Sequence, residues 1–493
     1  MLMSQLLNRL PGAIALCLLT AALFYAGGAF AAPAEPVAVA ATAVTETAEA
    51  AATEAAAAVE AVAAPEEEAA PAPALLAHQA VAEVDAAASS WILTSTALVL
   101  LMTLPGLALF YGGMVRRKNV IATITQSLGV AAVVSLAWFA AGYSLAFGVG
   151  QPMFGFDGET VQSFIGSLDA AFLNGVTMET AYSAAPGLPE YLWIAFQLTF
   201  AIITPALVTG AFAERIKYSA LLLFTGLWTL LVYAPICHWV WGGGFLGSAG
   251  VLDFAGGAVV HVNSGVAGLV CALFMGPRKG YGAEAMNAHN PVLTMIGASL
   301  LLVGWIGFNA GSAWAADAIA GVALLNTLLA AFAASLTWKI VEVMEKKKPS
   351  LIGVLSGLVA GLVAITPAAG FVDPKGAVII GLIAGPVCYA SAVWLKKLLR
   401  YDDSLDAFGI HGAGGLLGAI LTGVFATTAV NSLSEGANIP TQAMGLAWTI
   451  AWSAVVTFII LVICKFTTGL RVSDAQEAEG LDTTLHGEGL ENS

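Results

Sequence analysis

Asp253-Phe-Ala-Gly-Gly-Ala-Val-Val-His261 places one acid and one histidine in a stretch otherwise made of apolar and small residues. About 150 positions later the pattern returns as Asp403-Ser-Leu-Asp-Ala-Phe-Gly-Ile-His411, again with an acid eight residues before the histidine. Small residues follow both times, Ser264-Gly265 and then Gly412-Ala413-Gly414-Gly415. An ionisable side chain deep in a membrane helix is costly, which marks it as functional by default. Two such residues in matching places imply a duplicated fold with a site between its halves. The competing reading is a pair of unrelated histidines, each satisfied within a core.

The chain around these stretches reads as a membrane protein. Of its 493 residues 59% are hydrophobic and 10% charged, whereas soluble domains carry about 25% charged residues. Apolar runs repeatedly reach about 20 residues, the length that crosses a bilayer core as helix. They are continuous rather than alternating, which selects an all-α polytopic fold over a barrel. Eleven transmembrane helices are expected, at 91–112, 120–148, 189–212, 218–238, 257–276, 291–311, 318–343, 351–369, 375–398, 407–426 and 442–469. The 53 glycines fall largely inside these spans, where small residues let helices approach closely. Cys17, Cys237, Cys271, Cys388 and Cys464 are widely spaced in apolar runs and form no disulfide or metal pattern. A net charge of −14 argues against a nucleic-acid partner.

Charge sets the expected topology. Arg116, Arg117, Lys118, Arg215, Lys217, Arg278, Lys279, Lys346, Lys347, Lys348, Lys396, Lys397 and Arg400 follow odd-numbered spans. The alternate loops carry acids, with Lys375 as their only base. The positive-inside rule then puts the N-terminus in the periplasm and the C-terminus in the cytoplasm of an inner-membrane protein. Residues 1–31 agree with this. Arg9, the apolar run Ala13–Tyr25 and the small-x-small Ala29-Phe30-Ala31 make a secretory signal peptide. Residues 32–90 follow as an Ala, Glu and Pro-rich acidic extension without Lys or Arg, expected to be disordered. The membrane domain is 91–470 and a polar cytoplasmic tail is 471–493. Spans one to five and six to ten form two five-helix repeats. An odd number in each half makes the second inverted, and the eleventh helix is extra.

Other stretches offer polar or aromatic groups near the outer face. Trp241 precedes three glycines, and it reads either as an interfacial anchor or as a cation–π platform. Asp253 stands just before span five, where it can cap the helix and shape the local field. Ser312 closes Gly304-Trp305-Ile-Gly-Phe308-Asn-Ala-Gly-Ser312 with a hydroxyl. Phe308 and Phe200 read either as packing or as a stacked apolar gate. His238 and His289 are taken as structural, and Glu214 as a local partner of Arg215 or Lys217. No nucleotide loop, nucleophile elbow or metal cluster is present, which disfavours an enzyme or an ATP-driven pump and calls for no cofactor.

Several ordered motifs resemble the ammonium transporters of the Amt/Mep/Rh superfamily, on the bacterial side. They are Pro105-Gly-Leu-Ala-Leu-Phe-Tyr-Gly-Gly113, Gly210-Ala-Phe-Ala-Glu-Arg-Ile216, Trp241-Gly-Gly-Gly244, the Asp253–His261 stretch, Gly307-Phe-Asn-Ala-Gly-Ser312 and Phe408-Gly-Ile-His-Gly412. The tail's Glu479-Gly-Leu-Asp482 and His486-Gly-Glu488 are similar too. The resemblance implies a homotrimer in membrane lipid, with one pore per subunit and regulation by a cytoplasmic PII-type signal protein. It implies an outer ammonium site at Trp241, Phe200 and Ser312. Phe200 and Phe308 would be the gate, with Trp305 beside it, and His261 and His411 would line the pore. Asp253 would be the acid near the recruitment site, with Asp403 its structural counterpart. The extension 32–90 departs from the family pattern. The rival expectations are an ammonium sensor signalling through its tail and a neutral-gas channel of the Rh kind; methylammonium is the natural probe analogue.

Overall fold

Apolar runs of this length leave the backbone one way to satisfy its polar groups in lipid, and the chain takes it. The computed structural model describes residues 78–81, 83–152 and 156–490. Within them, ten helices are long and apolar enough to cross a membrane and one shorter apolar helix joins them. In order they are α1 (Ala86–Met114), α2 (Arg117–Phe147), α3 (Glu190–Phe212), α4 (Tyr218–Ser248), α5 (Gly257–Met275), α6 (Pro291–Gly311), α7 (Ala318–Lys346), α8 (Leu351–Ile365), α9 (Pro374–Leu399), α10 (Phe408–Phe425) and α11 (Ile439–Thr467). The expected signal peptide and the extension before residue 78 lie outside the described residues.

Local chemistry sets the helix starts. Asp85, Asn290, Asp317, Ser350, Asp373 and Asn438 each accept a hydrogen bond from a first-turn amide, and Pro291 and Pro374 sit at the first helical position. Asp85 starts α1 before the expected position 91. The structure also differs from the expected extension at its end. His78–Ala80 (β1) pairs antiparallel with Thr180–Tyr182 (β2) in the loop between α2 and α3. Ala-rich composition carries no signal for a strand whose partner lies about a hundred residues away.

The two repeats appear in how α5 and α10 begin. Asp253 accepts from the amides of Gly256, Gly257, Ala258 and Val259 at 2.5–3.0 Å. Asp403 accepts from Ala407 and Phe408 at 3.0 and 2.8 Å. Each acid thus opens a helix whose first turn is a widened π-turn, Gly257–Val262 in α5 and Phe408–Gly412 in α10, and each turn carries the histidine. The two caps lie at opposite ends of the bundle. Leu252 bonds Gln442 near the start of α11, whereas Ser404 reaches Ala213 beside Lys217, whose amine bonds Thr468 past the end of α11.

Glycine decides how closely the central helices approach. A Cβ on Gly265 would stand 2.3 Å from the Gly412 nitrogen, so α5 and α10 cross backbone to backbone beside the histidines. Gly361 of α8 and Gly381 of α9 press in the same way on α7 at Ala330. α3 and α5 are buried along most of their length, while α11 buries least and wraps the outside. Cys237, Cys271, Cys388 and Cys464 are buried and free, as core residues.

Candidate functional site

A single file of rings runs inward from the Asp253 end. Trp241 ends the regular part of α4, just before Gly242–Gly244 break the chain direction. Its indole N–H donates to the Asp253 carbonyl at 2.8 Å, which fixes the ring plane. Asp253 therefore serves twice: its backbone orients Trp241 and its carboxylate caps α5. Burial pushes that carboxyl above the usual range, against the pull of the four amide bonds. Trp241 meets Phe200 of α3 edge-on, centroids 5.9 Å apart.

Phe200 then stacks on Phe308 of α6, centroids 4.3 Å apart and planes 16° from parallel. Both rings are fully buried, at 1% and 0% exposure, so the stack closes this path. Ser312, one turn beyond Phe308, donates its hydroxyl to the Phe308 carbonyl at 2.8 Å. Its lone pairs remain free to accept an N–H. Below the stack, His261 lies 6.0 Å from Phe308 and stacks on Trp305 at 5.4 Å. The Trp305 indole N–H donates to Thr366 at 2.9 Å, which holds the ring against the histidine.

His261 and His411 meet edge to edge, their planes 26° from parallel and their centroids 5.3 Å apart, with Nδ1 atoms at 3.3 Å. Such a contact needs one N–H and one lone pair, so the rings share a proton and fix each other's tautomer. His261 Nε2 is buried and has no hydrogen-bond partner among the described residues. Two residues so placed from opposite repeats are not independently satisfied core histidines.

Trp241, Phe200, Phe308, Trp305, His261 and His411 are thus brought together. Asp253 stands behind the entrance, and Asp403 lies apart at the far end. Burial and the neighbouring Asp406 push the Asp403 carboxyl up to about 6, against Lys396; Lys396 pairs with Asp406. Around Asp403 lies a buried charge cluster. Arg278 makes a two-pronged contact with Asp402 at 2.9 and 2.8 Å. Glu214 binds Arg116 at 2.6 Å and faces Arg278 at 3.6 Å, not its sequence neighbours as expected. Its left-handed φ of 73° turns the side chain away from Arg215. The tail docks here as well. Glu477 accepts from the Lys279 amide and pairs with Arg471, and Asp482 accepts from the Ala122 amide at 2.8 Å.

His238 is structural, its ring nitrogens 3.0 and 2.7 Å from the carbonyls of Ala146 and Gln162. The sequence reading missed an aromatic wall that ends at Trp314, in the turn that carries Ser312. Tyr182 stacks on Trp193 at 4.8 Å, and Trp193 meets Trp314 edge-on at 4.8 Å. Three aromatics on separate elements leave no periodic signal.

A family model described as the Ammonium Transporter Family matches residues 90–490. An ammonium transporter of Bacillus subtilis (strain 168) is 48% identical over 399 residues, covering 79% of this chain and 95% of that protein. Among solved structures, Saccharomyces cerevisiae Mep2 matches with a TM-score of 0.72 at 35% identity, over 80% of this chain and 91% of that one. A structure named Sensor Amt Protein matches with a TM-score of 0.73 at 28% identity, over 81% of this chain and 98% of that one. Identity of this degree over about four fifths of the chain, with the family model spanning every residue of the file of rings, reflects a shared fold and descent: the chain belongs to the ammonium transporter family, whose members are transporters and not enzymes.

Proposed function

We propose that the chain takes up ammonium across the cytoplasmic membrane by binding the cation at Trp241, Phe200 and Ser312, parting it into ammonia and a proton, passing the ammonia along His261 and His411, and relaying the proton inward through the same paired imidazoles, so that one charge crosses with each ammonium. The observation that carries this reading is the buried Phe200–Phe308 stack standing between the Trp241 ring and the paired histidines. Ammonium is a small cation that only donates hydrogen bonds. The Trp241 face attracts it by about 0.5–2 kcal/mol, and the Ser312 hydroxyl accepts one N–H. Passage beyond the stack strips away hydration, which a bare charge does not tolerate in apolar surroundings. Ammonium escapes that barrier by losing a proton; potassium has none to lose. The histidines then supply donors and acceptors in a passage that is otherwise apolar.

The base-rich loops put the Asp403 end in the cytoplasm and the Asp253 end outside. A homotrimer, with a PII-type protein docking on the cytoplasmic face, follows from the family resemblance. The test is current in proteoliposomes given ammonium, methylammonium or potassium. Saturable current with the first two and none with potassium is expected. Potassium current would refute selectivity by proton loss. Tight ammonium binding without flux would instead favour a sensing role, which the match to the Sensor Amt Protein also makes worth testing.

A further inference from the structure

We propose that His78, just before the segment shared with the family, is a positioning residue for ammonium entry. It clamps the loop between α2 and α3, and through that loop the aromatic wall that ends in the turn carrying Ser312. The inference rests on Trp241, Phe200 and Ser312 forming the cation site.

The clamp has two fastenings. One is backbone. β1 pairs with β2 in the register His78↔Tyr182 and Ala80↔Thr180, and the Val81 amide donates to the Glu179 carbonyl at 2.8 Å. The Asp85 amide closes the far end on the Gly187 carbonyl at 3.0 Å. The other is a buried charge. Glu190, the first residue of α3, is 0% exposed. An uncompensated carboxylate there would be expensive. His78 Nδ1 and the Tyr143 hydroxyl both reach its Oε1 at 2.6 Å. The imidazole edge lies beside Gly175, whose left-handed φ of 83° favours glycine there; a Cβ would stand 3.4 Å from the ring, at ordinary contact distance.

What the clamp holds leads to the entrance. Tyr182, directly opposite His78, stacks on Trp193. Among the described residues the buried Trp193 indole N–H has no hydrogen-bond partner, so packing against Tyr182, Phe147 and Trp314 positions the ring. Trp193 bears on Trp314, two residues beyond Ser312 in a left-handed turn with φ 58°. Freeing His78 loosens β2, then Tyr182, then the Trp193–Trp314 contact that holds the turn carrying Ser312, which the Trp314 amide closes on the Gly311 carbonyl at 2.9 Å. The family model begins at residue 90, so the His78–Asp85 side of this fastening lies outside the matched segment while its partners, Tyr143, Tyr182, Gly187 and Glu190, lie inside it.

The full-length protein in liposomes provides the test, with ammonium current measured against concentration. His78→Ala should raise the half-saturating concentration roughly threefold to tenfold, the scale of one partly transmitted charged hydrogen bond. Maximal current should stay within about twofold, the signature of lost binding rather than lost chemistry. His78→Asn, whose amide N–H can reach Glu190, should restore most of the affinity. Val81→Pro removes the strand hydrogen bond without touching Glu190 and should shift affinity the same way; it decides the matter if His78→Ala does not fold. Trp241→Leu is run in parallel. If Trp241→Leu shifts affinity and neither strand variant does, the clamp is overturned while the cation site stands. If none shifts it, the cation-site reading fails and the clamp with it. Reduced maximal current at unchanged half-saturation would show only a smaller folded population and would also overturn the proposal.

Discussion

At the scale of single residues, the His261–His411 contact sets the strongest demand. Its one shared proton makes the two rings a unit, so neither can be lost without releasing the other. His261→Ala and His411→Ala should each leave a folded protein while cutting ammonium current about tenfold or admitting potassium. The two effects should not add, as is usual for residues in direct contact. Currents from both single variants and the double variant in proteoliposomes check this. A double variant with the wild-type rate and selectivity would remove the histidines from the mechanism. The neighbours reinforce the point, because Trp305 holds His261 by stacking and is itself held by Thr366. Replacing Thr366 would therefore act through ring orientation rather than through chemistry.

At the scale of elements, the crossing of α5 and α10 depends on Gly265. Its missing Cβ leaves room for the Gly412 backbone, with the nearest atoms 2.3 and 2.4 Å from where a Cβ would stand. Those atoms are main chain and cannot rotate aside. Gly265→Ala should therefore separate the helices and cost about 1–3 kcal/mol, the usual range for overpacking. It should also lengthen the histidine contact and reduce current. Thermal unfolding in detergent reads the first effect and liposome flux the second. An alanine variant with wild-type melting and flux would show that this crossing has slack. The eight-residue interval from acid to histidine has the same logic. It spans one cap and one π-turn in each repeat, so both histidines reach the same depth from opposite ends.

At the scale of the whole molecule, the buried charges at the Asp403 end tie the loops and the tail together. Burial would raise the Asp402 carboxyl, but the Arg278 hydrogen bonds and charge overcome it and hold the group below the ordinary carboxylate range. A group depressed in this way contributes stability that is present above its unfolded value, about 3.9. That contribution is lost as the pH falls through the lower folded value. Asp402→Asn should cost about 3–5 kcal/mol at pH 7, the range for breaking a buried pair, because it removes the close two-pronged partner of Arg278 and leaves it only Glu214 at 3.6 Å. The gap to the parent protein should narrow below about pH 4, as the parent's own carboxyl becomes neutral. Melting of both proteins between pH 3 and 7 tests this; a constant gap would refute the assignment. A second expectation concerns the acidic extension. Deleting residues 32–76 removes a segment without a core-forming pattern and spares the strand at His78. Oligomeric state and flux should be unchanged, as judged by chromatography and liposome current. Loss of either would give the extension a packing or recruitment role.

The helices could be read in the sequence because lipid leaves a backbone so few options. A continuous apolar run near the bilayer's thickness must become helix, and its acids and bases must sort to the ends. The repeat was legible for a local reason: acid and histidine lie within the nine consecutive positions Asp253–His261 and again within Asp403–His411. Contacts between distant segments were not legible. The stacking of Phe200 on Phe308, the choice of Arg116 and Arg278 by Glu214, and the pairing of His78 with Glu190 each join residues far apart in the chain. Their side chains met only once packing had set helix rotation, crossing distance and backbone turn, and no periodicity along one segment encodes the position of another. Composition and spacing by themselves determined a bundle of apolar helices with two matched acid–histidine stretches. The tertiary structure alone decided that those histidines touch, that Phe200 and Phe308 stack beside them, and that a strand from the extension pairs with the loop between α2 and α3, because each of these needs two or more elements at a fixed distance.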